Sequence, residues 1–360
     1  MITIGCVLPD IRAAYNLSES LSGALLSFYS LGNLASGILI GLAGLYLGQK
    51  KSAILMTLFI LAGFSLLMLA KFHVILFIAC ALIGLGRGSS ISFSQRGVSI
   101  LSGGNARVIG LLHVSFAVGA IIAPLIFSAL RLITWRAGLI FAIVLGVIDF
   151  ILFASVKDYS ALETLKDSDS DSQANKSIEF LKNPGFVIIA CMMFLYLCCE
   201  FAVNGWLVTY MNHKSMPMNF SQSMASLLWL VMLIGRLFCV WLAKYVQQKK
   251  ILLFSGIGAA IFFAVMLKSE GKIFIAFSVA CLGFCMAGIS PIIYASSAPY
   301  TNKYPLAMGI LFTIGCCGGT IMPLITGFIA ELYGFDGGMS AILVTFILLI
   351  IFAVINLRRE

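Results

Sequence analysis

The sequence predicts an all-α polytopic membrane protein made of two pseudo-symmetric six-helix halves. Three observations predict it: an extreme composition, the regular spacing of long apolar runs, and an internal repeat. Of the 360 residues, 61% are hydrophobic and 10% charged, with a mean hydropathy of +1.07. A soluble domain is about half apolar and about a quarter charged. Water-soluble enzymes, nucleic-acid binders and secreted disulfide scaffolds are therefore excluded, and the bilayer is the expected partner.

Apolar runs long enough to cross a bilayer, about 20 residues each, fall at 18–43, 51–70, 74–94, 107–130 and 137–156. They resume at 185–211, 222–244, 251–267, 273–295, 305–332 and 339–357, and an apolar stub, Met1–Leu8, opens the chain. Between the two sets lies KDYSALETLKDSDSDSQANKSIEFLK, Lys157–Lys182. Its Ser/Asp content and lack of apolar periodicity mark a polar linker. The organisation expected is residues 1–156 as an N-terminal membrane half, 157–182 as a linker and 183–360 as a C-terminal half.

Lysine and arginine set the orientation. With the linker cytoplasmic, that side carries Lys50, Lys51, Arg96, Arg107, Lys157, Lys166, Lys176, Lys182, Lys244, Lys249, Lys250, Lys303, Arg358 and Arg359. The other side carries Arg12, Lys71, Arg131, Arg136, Lys214, Lys268 and Lys272. This two-to-one bias predicts a multi-pass plasma-membrane protein with cytoplasmic linker and C-terminus. The net charge of +9 thus reflects topology, and no nucleic-acid partner is expected. The ten cysteines lack CxxC spacing and the histidines number three, so no metal site is expected and the cysteines read as buried thiols. No cleavable signal peptide is visible.

A shift of 199 residues superimposes the halves without a gap. Gln49-Lys50-Lys51 falls on Gln248-Lys249-Lys250, Gly84 on Gly283 and Gly119 on Gly318. Pro124-Leu-Ile falls on Pro323-Leu-Ile, and Gly138 on Gly337. Parallel repeats of this kind are a secondary-transporter architecture. Met1 falls opposite Glu200, midway along the seventh span, so the first helix is predicted to be truncated in this chain.

These features resemble the major facilitator superfamily. The loop Gly41-Leu-Ala-Gly-Leu-Tyr-Leu-Gly48-Gln-Lys50-Lys51 is similar to that family's short cytoplasmic loop. Leu45 and Tyr46 replace its usual Asp-Arg pair, so the resemblance implies gating or structural roles for Gly48, Lys50 and Lys51 and a weakened charge lock. Phe194-Leu-Tyr-Leu-Cys-Cys-Glu200-Phe-Ala-Val-Asn204-Gly-Trp206-Leu-Val-Thr-Tyr210 resembles the seventh helix of the fucose permease-like branch, the fucose–galactose–glucose:proton symporters. Leu112-His113 through Pro124, Leu233-Ile-Gly235-Arg236 and Gly318 through Gly327 look like its fifth, eighth and eleventh helices. Two acids of that branch fall here at Gly5 and near Ser89, which implies that proton coupling, if kept, has moved.

Ionisable groups inside a span are costly, by about 2.5–3.5 kcal/mol on insertion scales, and so mark candidate function. Glu200 is the clearest, a proton carrier or part of a cation site (proton or sodium), or else a packing glutamate. Asn204, one turn on, shares its face, and Trp206 and Tyr210 flank it. Carboxylate, amide and rings suit a carbohydrate, while an interfacial aromatic belt is the other reading of both rings. His113 is either a sugar contact or a histidine satisfied by a neighbouring carbonyl. Arg87, within Gly84-Leu-Gly86-Arg87-Gly88, either contacts an anionic substrate or pairs with Asp149 or Glu200. Arg236 reads as gating or structural, and Asp149 as belonging to a supporting helix. Asn33 with Tyr29, Gln95, and Tyr294 complete the candidate substrate contacts.

The function expected is secondary active transport of a monosaccharide or similar small polar solute by alternating access, coupled through Glu200. Efflux or exchange of hydrophobic or anionic compounds is the alternative, and a non-transporting sensor or truncated remnant is the alternative of another class. No P-loop or catalytic constellation is present, so neither enzyme activity nor a cofactor is expected. The resemblance implies a monomer.

Overall fold

The computed structural model describes residues 2–101, 106–155, 179–301 and 304–359. Its helices in order are α1 (Ile2–Tyr15), α2 (Glu19–Leu47), α3 (Gln49–Leu69), α4 (His73–Leu101), α5 (Ala106–Arg131) and α6 (Trp135–Ser155). After a 3-10 turn at Glu179–Lys182 come α7 (Pro184–His213), α8 (Met218–Leu242), α9 (Gln248–Lys268), α10 (Lys272–Met286), α11 (Ile289–Thr301), α12 (Pro305–Tyr333) and α13 (Phe335–Arg358). Ten segments among the described residues are long and apolar enough to cross a bilayer. The protein is an all-α, multi-pass membrane protein. Most of the expected linker lies outside the described residues.

Each expected apolar run overlaps one helix, except 273–295, the tenth crossing when the opening stub is counted, which divides into α10 and α11. The physical reason is Pro291. It has no N–H to offer the carbonyl four residues earlier, at Ala287, so the ladder opens beside Gly288. Other ends follow local chemistry as well. Pro184 stands in the first turn of α7, and the Asn183 side chain caps that turn by accepting from the Gly185 N–H at 2.8 Å. Gly48 joins α2 to α3 at φ 79°, a left-handed conformation that favours glycine.

The repeat is visible in the helix bounds. Shifted by 199 residues, both ends of α3 fall on both ends of α9. The starts of α2, α4 and α5 (Glu19, His73, Ala106) likewise fall on those of α8, α10 and α12 (Met218, Lys272, Pro305). Packing repeats in the same register. A Cβ on Gly84 would collide with the Tyr29 carbonyl oxygen, and one on Gly283 would stand 2.7 Å from the Leu228 carbonyl oxygen. Those glycines and those carbonyls are equivalent under the shift, so each half brings its second and fourth helices into backbone contact at the same level. With α10 and α11 counted as one crossing, the chain is two pseudo-symmetric six-helix halves.

Residues cluster into two compact units, one of Met1–Ala24, Ala120–Ser128 and Ala174–Glu360, the other of Leu25–Gly119 and Ala129–Gln173. In the first unit α7 is the central element: 72% of its crossing is buried, against 17% for α6 in the second unit. Within the first unit α1 lies on α7, where a Cβ on Gly5 would stand 2.5 Å from the Asn204 carbonyl oxygen. The first turns of α2 lie on α12, with the Ser20 N–H donating to Glu331 Oε2 at 3.0 Å.

Candidate functional site

The burial of α7 gives its polar residues protein neighbours. Glu200 lies one turn after Tyr196 on the same helix face, close enough for its charge to act on the Tyr196 hydroxyl. The same hydroxyl donates to the Met286 carbonyl oxygen at 3.4 Å, the last residue of α10 at the break. The charge of Glu200 also acts on Tyr294 of α11, and that of Arg236 on Tyr196. The Tyr294 hydroxyl, half-buried, has no hydrogen-bond partner among the described residues. Glu200 is thus set in a polar cluster drawn from α7, α8 and the broken tenth crossing.

Asn204 extends the cluster toward α8. Its Nδ2 donates to the Glu200 backbone carbonyl at 2.7 Å, and its Oδ1 accepts from the Trp229 indole N–H at 2.7 Å. The Arg236 guanidinium lies over the Trp229 ring, 5.9 Å from its centroid. Its Nε is buried without a hydrogen-bond partner among the described residues.

Trp206 falls to neither expected reading. Its indole is fully buried, donates to the Pro323 carbonyl oxygen at 3.2 Å and meets the Phe335 ring edge-on at 5.5 Å. Its only donor is therefore spent on protein, and it serves as a packing anchor. The belt expected around Tyr210 is likewise an internal stack. Tyr210, buried, lies on Phe335 and donates to Asp336 Oδ1 at 2.8 Å. His213 and Arg12 share the Phe335 ring.

The second unit holds a separate polar cluster. Arg87 Nη1 donates to Asn33 Oδ1 at 3.2 Å, and the guanidinium lies 5.6 Å from the centre of the Phe116 ring. Tyr29, one turn before Asn33 on α2, lies within reach of the Arg87 charge. The expected pairing of Arg87 with Asp149 is not formed. Asp149 lies on α6, the crossing least covered by protein, and has no ion pair among the described residues. The side chains of Gln95 and His113 lie outside the described residues. In the short loop, Gly48 makes the left-handed joint and Lys51 is exposed. Lys50 is half-buried.

Sequence reasoning missed Tyr196, Trp229 and Phe116. Tyr196 carried a usable signal, since it precedes Glu200 by one turn. Trp229 carried a weaker one, an indole in mid-span rather than at an interface. Phe116 carried none that separates it from the other phenylalanines. At Gly5 the structure supplies a reason for the missing acid: α7 backbone occupies the space that any side chain there would need.

The family model "Major Facilitator Superfamily" matches residues 1–271 and 220–360. A protein of Bacillus subtilis named "Putative niacin/nicotinamide transporter NiaP" is 26% identical over 344 residues, 90% of this chain and 83% of that protein. "Bypass of stop codon protein 6" of Saccharomyces cerevisiae is 22% identical over 299 residues, 72% of this chain, and the chain spans only 60% of that relative's length. Among solved structures, an alanine mutant of the nucleoside transporter NupG superimposes with a TM-score of 0.81 at 13% identity, covering 99% of this chain and 96% of that one. A D-xylose-proton symporter superimposes with a TM-score of 0.75 at 13% identity, covering 99% and 96%. At such identities these likenesses speak to fold.

Proposed function

Since the chain belongs to the Major Facilitator Superfamily and is a transporter rather than an enzyme, we propose that it carries a monosaccharide or similar small polar solute, coupled to a proton or cation at Glu200. The halves 1–156 and 183–360, joined by a cytoplasmic linker, rock about a midplane site in the plasma membrane. The protein works as a monomer, with its C-terminus in the cytoplasm.

The observation that carries this reading is the setting of Glu200: a carboxylate in the most buried crossing, within electrostatic reach of the Tyr196 hydroxyl, which itself donates to the break between α10 and α11. Coupling requires that protonation have a different free energy in the inward- and outward-facing states. A carboxylate beside a helix break has a means of meeting that requirement, because the hydroxyl between them can favour one partner over the other. Tyr294, whose hydroxyl has no hydrogen-bond partner among the described residues, offers a hydrogen bond and a ring face to cargo. Names among its relatives point to nucleosides, D-xylose and niacin, small ring-bearing solutes with polar rims, a class that includes monosaccharides.

Uptake of a labelled monosaccharide panel into proteoliposomes under an imposed proton gradient tests the reading. Accumulation above the equilibrium level should vanish in Glu200→Gln while solute exchange at equilibrium persists. Full gradient-driven accumulation by Glu200→Gln would sink it.

A further inference from the structure

Arg87 lies within a membrane-crossing stretch of α4, His73–Ile91. A guanidinium stays protonated in proteins and is expensive to hold in a bilayer without a counter-charge. Its contacts among the described residues, the Asn33 carboxamide and the Phe116 ring, are both neutral. The crossing segments of its own unit have almost no acid to offer. From Leu25 to Gly119 the sequence contains no Asp or Glu, and from Ala129 to Val156 it contains only Asp149, which is not paired with it.

The surroundings of Arg87 are donors. Asn33 accepts from Arg87 through Oδ1, and its Nδ2 has no partner among the described residues. The Tyr29 hydroxyl is buried and has no hydrogen-bond partner among the described residues. Glycines on either side of Arg87 bring these groups to it: Gly84 lets α2 approach at the Tyr29 carbonyl, and a Cβ on Gly88 would stand 2.8 Å from Asn33 Oδ1. A guanidinium fork, an amide N–H and a phenol O–H form a donor set with no anionic acceptor beside it among the described residues.

We propose that Arg87, with Asn33 and Tyr29, binds the carboxylate of the transported solute, so that the cargo is a small organic acid carrying a single negative charge. This rests on the transport reading above and narrows its substrate class. A planar carboxylate matches the fork of one guanidinium by two parallel hydrogen bonds. A phosphoryl group, with nearly two charges, calls for more cations. The nearest basic residues in the sequence, Lys71 and Arg96, are more than two helical turns away. Phe116 walls the site beside the guanidinium and suits an apolar or ring carbon next to the carboxylate.

The test uses the full chain in detergent and matched probes that differ in the carboxylate: D-gluconate against D-glucose, and benzoate against benzamide. At least one acid should raise the melting temperature saturably, with an apparent affinity at least tenfold above that of its neutral mate. Arg87→Gln, melting normally without ligand, should erase that preference. Should Arg87→Gln fail to fold, Arg87→Lys carries the test: it keeps the charge but loses the fork, and should weaken acid binding about tenfold while leaving the neutral mate unchanged. Equal binding of acids and neutral mates, no binding of any acid, or an acid preference that survives both substitutions would overturn the proposal. Proteoliposome flux separates the two readings. Acid binding without flux of any solute fails the transport reading alone, whereas gradient-driven flux of glucose that ignores gluconate and Arg87 fails this one alone.

Discussion

The indole N–H of Trp229 on α8 donates to the side-chain oxygen of Asn204 on α7 at 2.7 Å, and this bond fixes the depth at which the two helices meet beside Glu200. Removing either partner leaves a buried polar group unpaired, at a cost of about 1–3 kcal/mol. Asn204→Leu and Trp229→Phe should each lower the melting temperature in detergent. The double variant should lose less than the two losses added together. Strict additivity would show that the bond contributes nothing to stability.

Backbone contact between the second and fourth crossings predicts two intolerant glycines in register. Gly84→Ala and Gly283→Ala each place a methyl against a backbone carbonyl that cannot rotate away. Each should cost at least the 1–3 kcal/mol or so typical of overpacking, read as lost monodisperse protein on size-exclusion chromatography. Gly119→Ala is the control. Nothing lies within 4 Å of its added Cβ, and alanine should gain up to about 1 kcal/mol in a helix interior.

Tyr196 predicts a separation of coupling from carriage. Its hydroxyl donates to the Met286 carbonyl at the helix break and lies within reach of the Glu200 charge. A hydrogen bond between neutral groups contributes about 0.5–1.5 kcal/mol, which corresponds to as much as about tenfold in an equilibrium. Tyr196→Phe should therefore reduce gradient-driven accumulation by up to about tenfold while equilibrium exchange keeps its KM. An equal fall in both activities would mean that Tyr196 serves packing alone.

The joint at Gly48 predicts a local cost in the short loop. At φ 79° a side chain meets its own backbone, and Gly48→Ala should cost about 1–2 kcal/mol. Protease sensitivity of the α2–α3 connection should rise in that variant. An unchanged digestion pattern would show that the loop relaxes to accept alanine.

How much of this was legible in the chain can be judged from particular residues. The crossings were, because a bilayer demands one long apolar run per helix and nothing in water competes for that pattern. The repeat was legible in Gly84 and Gly283, although only the structure gives the reason, since each glycine faces the carbonyl of a residue equivalent to the other's partner. Glu200 stood out because a charge in a span is rare. Its neighbours did not, for Trp229 and Met286 come from other helices and carry no mark of where those helices cross. Trp206 was misplaced for the same reason: a tryptophan near a helix end has two ordinary fates, and the choice depended on whether Phe335 and the Pro323 carbonyl were there to cover it.

Hydropathy and residue type along the chain establish the solvent, the number and order of the crossings, and the residues whose charge must be compensated. Those are local matters, set by hydropathy, by proline and glycine, and by the cost of an ion in hydrocarbon. Which group compensates which follows from how the helices pack. Packing set Glu200 beside Tyr196, bonded Asn204 to Trp229 and Arg87 to Asn33, and left Asp149 apart on a helix little covered by protein. The reason is that a hydrogen bond between helices depends on crossing angle and axial register, and both are fixed by where small residues let backbones touch, a property of pairs of helices that neither helix carries in its own pattern.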